Sequence, residues 1–193
     1  MRIKKEKRRT ETRRAVFLDR DGVINRALIR DGKPYPPTNL DEFEILPEVF
    51  EACKRLKEAE YMIVVATNQP DVGQGTLLQS VVEEMHNFLL KHLPIDRIEV
   101  CYHPGRGQSN CLCRKPLPGM LLSASKKLGL DLSGSWMVGD RFGDIIAGQA
   151  AGCRTILVGG GYGEEPQITP DFRVSNLAEA VEKILSCAML RLC

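Results

Sequence analysis

Short apolar runs alternate along the chain with segments whose apolar positions recur at helical spacing. AVFLD (15–19) carries four apolar residues into a carboxylate and predicts a buried strand. EVFEACKRLKEAEY (48–61) places Val49, Cys53, Leu56 and Ala59 near one helical face, with Pro47 suited to its first turn. MIVVATN (62–68) is β-branched and predicts a second strand. LLQSVVEEMHNFLLKHL (77–93) predicts a longer helix, stopped by Pro94. RIEVCYH (97–103) predicts a third strand, PGMLLSASKKLGL (118–130) a helix with Gly129 near its end, and SWMVGD (135–140) a fourth strand. DIIAGQAAG (144–152) reads as a helix closing on Gly152, RTILVGGG (154–161) as a fifth strand, and NLAEAVEKILSCAML (176–190) as a last helix capped by Asn176.

Strand and helix in strict alternation imply a parallel sheet covered on both faces, a doubly wound, Rossmann-like α/β fold. In such sheets ligands bind beyond the carboxyl ends of the strands, near the switch point of the topology. A chain of 193 residues is most simply one domain. Residues 1–14 read as a basic flexible tail and 15–193 as the single folded domain. The tail holds eight basic residues against Glu6 and Glu11, a charge of +6, so a chain of net +2 leaves −4 for the rest. Such an arm could touch nucleic acid or an anionic membrane. With no aromatic residue to stack bases, a solvated tail is the simpler reading, and nucleic acid is not expected as substrate. Neither a membrane span nor a secretory signal is visible, so the expectation is a cytoplasmic protein without membrane insertion. A monomer is the default.

The polar chemistry gathers where strands are predicted to end. Asp19 and Asp21 are two apart, so an extended backbone projects them the same way, and paired carboxylates resist ionising together unless a cation binds. The second strand ends in Thr67-Asn68-Gln69, where a hydroxyl and an amide can donate to an oxyanion. The fourth runs into GDRFGD with Asp140 and Asp144, and Asp140 completes with Asp19 a hard oxygen site suited to Mg²⁺. Lys115, just before a helix, can set a fixed cation over the same point. These parts suit phosphoryl transfer: one carboxylate attacks phosphorus, a second handles the leaving-group proton, and cations neutralise the oxygens.

DRDGVIN, TNQ, RKP and GDRFGD, in this order, resemble the haloacid dehalogenase superfamily of aspartate-nucleophile phosphatases, with the likeness running from about Ala15 to Val158. The resemblance implies that Asp19 is the nucleophile and that Asp21 protonates the leaving oxygen and then activates water. It implies that Thr67 and Lys115 hold the transferring phosphoryl group, with Asn68 beside them. Asp19, the main-chain carbonyl of Asp21, and Asp140 would hold Mg²⁺.

CYHPGRGQSNCLCRKP (101–116) supplies Cys101, His103, Cys111 and Cys113, the ligand set of a closed structural zinc site. Seven cysteines, an odd number in a chain without an export signal, favour reduced thiols with a metal use over disulfides. Zinc here would be a clamp that aims Arg114 and Lys115. This loop ahead of RKPLPGM resembles the cap-less subgroup that holds D-glycero-D-manno-heptose 1,7-bisphosphate 7-phosphatases and histidinol-phosphate phosphatase domains. Arg106 and the absence of carboxylates in HPGRGQSNC favour an anionic substrate, and Arg114 can clasp a distal phosphate bidentately. The implied activity is removal of phosphate from a heptose bisphosphate, a precursor of lipopolysaccharide heptose. The alternatives are histidinol phosphate, another small sugar phosphate, or a non-catalytic zinc-bearing interaction module. Three stretches depart from the subgroup pattern: the long RALIRDGKPYPPTNLDEF, TNQPDVGQG without its usual basic residue, and Arg141 where Lys is usual. Arg141 keeps the charge and remains a candidate substrate contact. His86, His92, Trp136, Cys53 and Cys153 read as packing or surface residues; Cys187 and Cys193 have no assigned role. Gly159, Gly160 and Gly161 read as loop.

Overall fold

The computed structural model describes residues 12–30, 33–105, 110–163 and 168–190. The tail 1–14, apart from residues 12–14, lies outside the described residues, as do Arg106 and Cys193. In chain order the elements are β1 (Arg14–Leu18), β2 (Leu28–Arg30), β3 (Lys33–Tyr35), α1 (Val49–Glu58), β4 (Tyr61–Asn68), α2 (Pro70–Gly73), α3 (Gln79–His92), β5 (Arg97–Cys101), α4 (Gly119–Leu128), β6 (Trp136–Gly139), α5 (Phe142–Ala151), β7 (Arg154–Val158), a 3-10 turn (Gly161–Gly163), β8 (Phe172–Val174) and α6 (Leu177–Leu190).

Six strands form one parallel sheet in the order β5-β4-β1-β6-β7-β8. The first apolar run is central to it, and its side chains alternate between two cores. Ala15 and Phe17 pack with Met120, Leu121 and Ala124 of α4. Val16 and Leu18 face the opposite core, built with Cys53 and Leu56 of α1, Met85 and Leu89 of α3, and Val181 and Ile184 of α6. Burial on both faces explains why β1 is a continuous apolar run rather than an alternating one. After β1 the chain proceeds towards β4 on one side, and after β6 towards β7 on the other. The switch point therefore lies between the carboxyl ends of β1 and β6.

The expected strands and helices are present, with shifted ends. Trp136, Cys53 and Cys153 are buried, and Asn176 caps α6 by accepting the Glu179 amide at 2.9 Å. Pro47 precedes rather than enters the first turn of α1. The helix expected from Asp144 begins at Phe142 instead, because the Asp144 Oδ2 reaches back to accept the Arg141 amide at 3.0 Å and seals the first turn. Three elements had no sequence signal: α2, β8, and the β2–β3 hairpin. That hairpin is the main structure inserted between β1 and α1, and among the described residues no folded cap domain covers the sheet edge. Among the described residues, no helix is long and apolar enough to cross a membrane.

Candidate active site

A cavity of about 690 Å³ opens over the carboxyl ends of β1, β4 and β6. Asp19 lies just past β1, where its amide continues the ladder to the Val138 carbonyl of β6 at 2.9 Å. The side chain is 13% exposed, and its Oδ1 lies 2.8 Å from Lys115 Nζ. Asp144, at the start of α5, holds the same ammonium at 2.5 Å through Oδ1. Burial opposes the charge of Lys115, but Asp144 and Asp19 outweigh it and keep the group above its ordinary value. The Asp19 carboxyl is pushed up to about 6 by burial and by Asp144 and Asp21, against the pull of Lys115.

Asp140 follows β6 and is also buried. Burial, then the charges of Asp19 and Asp144, push it up to about 8. Its Oδ1 has no hydrogen-bond partner among the described residues. The Tyr162 hydroxyl bonds the carboxylate. Tyr162 adopts left-handed φ 52° and ψ 34° in the turn after β7, a strained conformation for a tyrosine. Gly22 lets these groups meet: a Cβ there would lie 1.9 Å from Asp140 Oδ2, and its φ of 89° is itself a glycine conformation.

Asp21 sits one turn away in a frame of donors. Arg20 Nε and Nη2 reach its carboxylate at 3.0–3.1 Å, Asn25 Nδ2 reaches Oδ1 at 3.0 Å, and Gln69 Nε2 reaches Oδ2 at 2.9 Å. Gln69 also donates to the buried Thr67 hydroxyl at 3.0 Å, tying the end of β4 to the loop after β1. Asn68 meets the main chain of Lys115 in both directions at 3.1 Å, so its carboxamide holds the lysine in place. Arg114 lines the cavity, and its buried Nη1 has no partner among the described residues. Arg141 lines it too, donating to the Pro34 carbonyl and lying over the Tyr162 ring at 5.6 Å. Pro34, Tyr35 and Pro36 close one wall, which makes the hairpin part of the site.

Two groups of side chains suit metals. Asp19, Asp140 and Asp144 bring one oxygen each within 4.8 Å of one another, and the partnerless Asp140 Oδ1 fits a hard cation. Asp144 is occupied by Lys115 and the Arg141 amide, which leaves Asp19 and Asp140 as the available carboxylates. Cys101, His103, Cys111 and Cys113 also converge within 4.8 Å. Cys101 Sγ lies 3.7 Å from Cys111 Sγ and 3.5 Å from His103 Nδ1, which in turn lies 3.2 Å from Cys113 Sγ. A tetrahedral zinc with bonds of about 2.3 Å to sulfur and about 2.0 Å to nitrogen has edges of roughly 3.5–3.8 Å. Two of these three separations fall in that range, so the donor set is compatible with such an ion, and the three cysteines are free thiols. Gly119, which opens α4, packs so close that a Cβ would meet the Leu112 carbonyl at 2.1 Å. The loop is thereby pressed against the helix that follows Lys115.

All twelve candidate residues fall in these two adjoining places. Sequence reasoning left out Arg20, Asn25 and Tyr162, and gave Gln69 no specific part. The signal for Arg20 was available: an arginine between two site carboxylates. Tyr162 had none, since it approaches from a loop 140 residues after Gly22.

The sequence profile of the family described as HAD-hydrolase-like matches residues 112–180. The D-glycero-β-D-manno-heptose-1,7-bisphosphate 7-phosphatase of Pseudomonas aeruginosa is 41% identical over 155 residues, 79% of this chain and 84% of the relative. The Escherichia coli K12 enzyme of the same name is 33% identical over 183 residues, 88% and 93% of the two chains. The crystal structure of the D,D-heptose 1,7-bisphosphate phosphatase from B. bronchiseptica, complexed with magnesium and phosphate, superposes with a TM-score of 0.76 at 32% identity, covering 90% of this chain and 98% of that one. At these identities and coverages, the chain belongs to the haloacid dehalogenase-like family of phosphatases.

Proposed function

We propose that the protein removes the 7-phosphate of D-glycero-β-D-manno-heptose 1,7-bisphosphate through a phospho-Asp19 intermediate. The observation that carries this reading is a single cavity holding Asp19 and Lys115 at its floor and Arg114 and Arg141 in its wall. One phosphate needs the floor; two further guanidinium groups suit a second anion. A cationic substrate such as histidinol phosphate would meet those arginines unfavourably. The relatives act, by their names, on the same bisphosphate.

In the reaction Asp19 attacks phosphorus, the P–O7 bond breaks, and Asp21 gives its proton to the departing sugar oxygen. Asp21, now a carboxylate, takes a proton from water as that water attacks the phospho-aspartate, releasing phosphate and restoring Asp19. Lys115 and the Thr67 hydroxyl bind the phosphoryl oxygens. Mg²⁺, held by Asp19, Asp140 and the main-chain carbonyl of Asp21, supplies the positive charge that offsets those oxygens. Zn²⁺ on the four soft ligands would be structural, because all four corners are filled by protein.

The test is Mg²⁺-dependent phosphate release from both anomers of heptose 1,7-bisphosphate, histidinol phosphate and a set of hexose and pentose phosphates, with Asp19→Asn as control. Removing a nucleophile costs on the order of 10⁶ in kcat, so the control should be silent. Preference for another ester would discard the heptose reading and keep the mechanism; turnover in Asp19→Asn would discard the mechanism.

A further inference from the structure

Arg20 is fully buried, and its guanidinium faces two ways. Nε and Nη2 grip Asp21, while Nη1 lies 3.2 Å from Nε2 of His86, a buried residue of α3 that does not line the cavity. The ring of Phe43 lies 5.6 Å from the guanidinium carbon. Arginine has donors only, so the contact is a hydrogen bond only if His86 Nε2 offers a lone pair and its proton sits on Nδ1. Burial, and then the charge of Arg20, pushes His86 down to about 4, which keeps the imidazole neutral near pH 7.

We infer that His86 is a positioning residue for the acid–base group: through Arg20 it fixes the orientation of the Asp21 carboxylate. The carboxylate is not held symmetrically. Oδ1 accepts from Arg20 Nε, Arg20 Nη2 and Asn25, whereas Oδ2 receives Gln69 and a share of the same Arg20 Nη2. Oδ2 is therefore the oxygen with room for the transferred proton. If the acceptor on α3 is lost, a buried Nη1 donor is left unsatisfied, and Arg20 gains by turning towards another partner. Asp21 then loses the fork that chooses between its oxygens. A long-range chain from an outer helix to the proton-transfer group follows, with no contact between His86 and substrate.

The inference rests on the proposed phosphatase reaction, and the experiment separates the two. His86→Leu removes the acceptor, and His86→Gln restores one at similar reach. kcat/KM reports only the steps through leaving-group departure. It is compared for heptose bisphosphate, whose alkoxide must be protonated, and p-nitrophenyl phosphate, whose phenolate need not be. We expect His86→Leu to lower kcat/KM for the sugar phosphate about 10- to 100-fold, to change the aryl ester less than about threefold, and His86→Gln to recover most of the loss. Equal losses on both esters, or no loss, would overturn the inference. A second readout needs no turnover: long-range ¹H–¹⁵N spectra of the wild-type protein should show His86 protonated at Nδ1 and bare at Nε2. A proton on Nε2 would refute the link whatever the substrate. Wild-type protein inert on both esters would instead remove the phosphatase reading, leaving the tautomer to decide the contact.

Discussion

Two clusters of ligating side chains sit near one another, and they differ in what they leave open. The thiol and imidazole donors form a compact set of four, from the end of β5 and the loop that leads to α4. The carboxylates form an open set lining a large cavity, with one buried oxygen lacking a partner among the described residues. Closure suits stability and openness suits chemistry. The open cluster is also the electrostatically stressed one: burial and mutual repulsion raise Asp19 and Asp140, and Lys115 relieves only part of this. The lysine that relieves it, Lys115, is carried by the segment leaving the closed cluster, two residues after Cys113.

The strongest way to break the comparison is to open the closed site. Cys111→Ser, or zinc stripping, should lower the melting temperature by about 10 °C, since each kcal/mol is worth roughly 2–4 °C in a domain this size and zinc sites are worth several. Activity should fall with it, while Mg²⁺ affinity of the protein that stays folded persists. Unchanged melting and turnover in zinc-free protein would remove the clamp. A smaller effect is expected at the open site from Tyr162→Phe, which takes the hydroxyl from Asp140. Mg²⁺ affinity measured by calorimetry should drop about tenfold with little change in melting temperature.

The smallest effect sharpens the contrast through pH. In metal-free protein Asp19 stands at about 6 and Asp140 at about 8, against an ordinary 3.8. Both are raised, so the folded state binds protons more tightly than the unfolded one. Their contribution is complete below about pH 4 and is lost as pH rises through 6 to 8. Melting temperature should therefore fall by a few degrees between pH 5.5 and 8.5, and saturating Mg²⁺ should remove that slope. A slope that persists with Mg²⁺ would separate the carboxylates from the metal.

What could be read from the chain divides along physical lines. β1, β4, β6 and β7 were legible because strands buried on both faces are continuous apolar runs. The hairpin was not, since LIR and KPY are three residues each and the second contains Pro34. β8 is an equally brief FRV at the sheet edge. Asp19, Asp21, Lys115 and Asp140 were legible from the order of their motifs. Asn68 also carried a signal, yet its place as a brace on the Lys115 backbone depends on a pairing across 47 residues. His86 looked like packing because nothing local to α3 announces an arginine arriving from the loop after β1.

The central strand has one more consequence, for how the protein comes to be active. β1 is the first strand made, yet its partner β6 lies some 120 residues later, with Val16 opposite Trp136 and the Ala15 amide bonded to the Ser135 hydroxyl. Asp19 and Asp140 directly follow those two strands. Neither half of the chain can assemble the carboxylate pair alone, and closing so long a loop is slow. Catalytic activity during refolding should thus appear only with the completed sheet, later than helix formation, making turnover a late reporter of the assembled molecule.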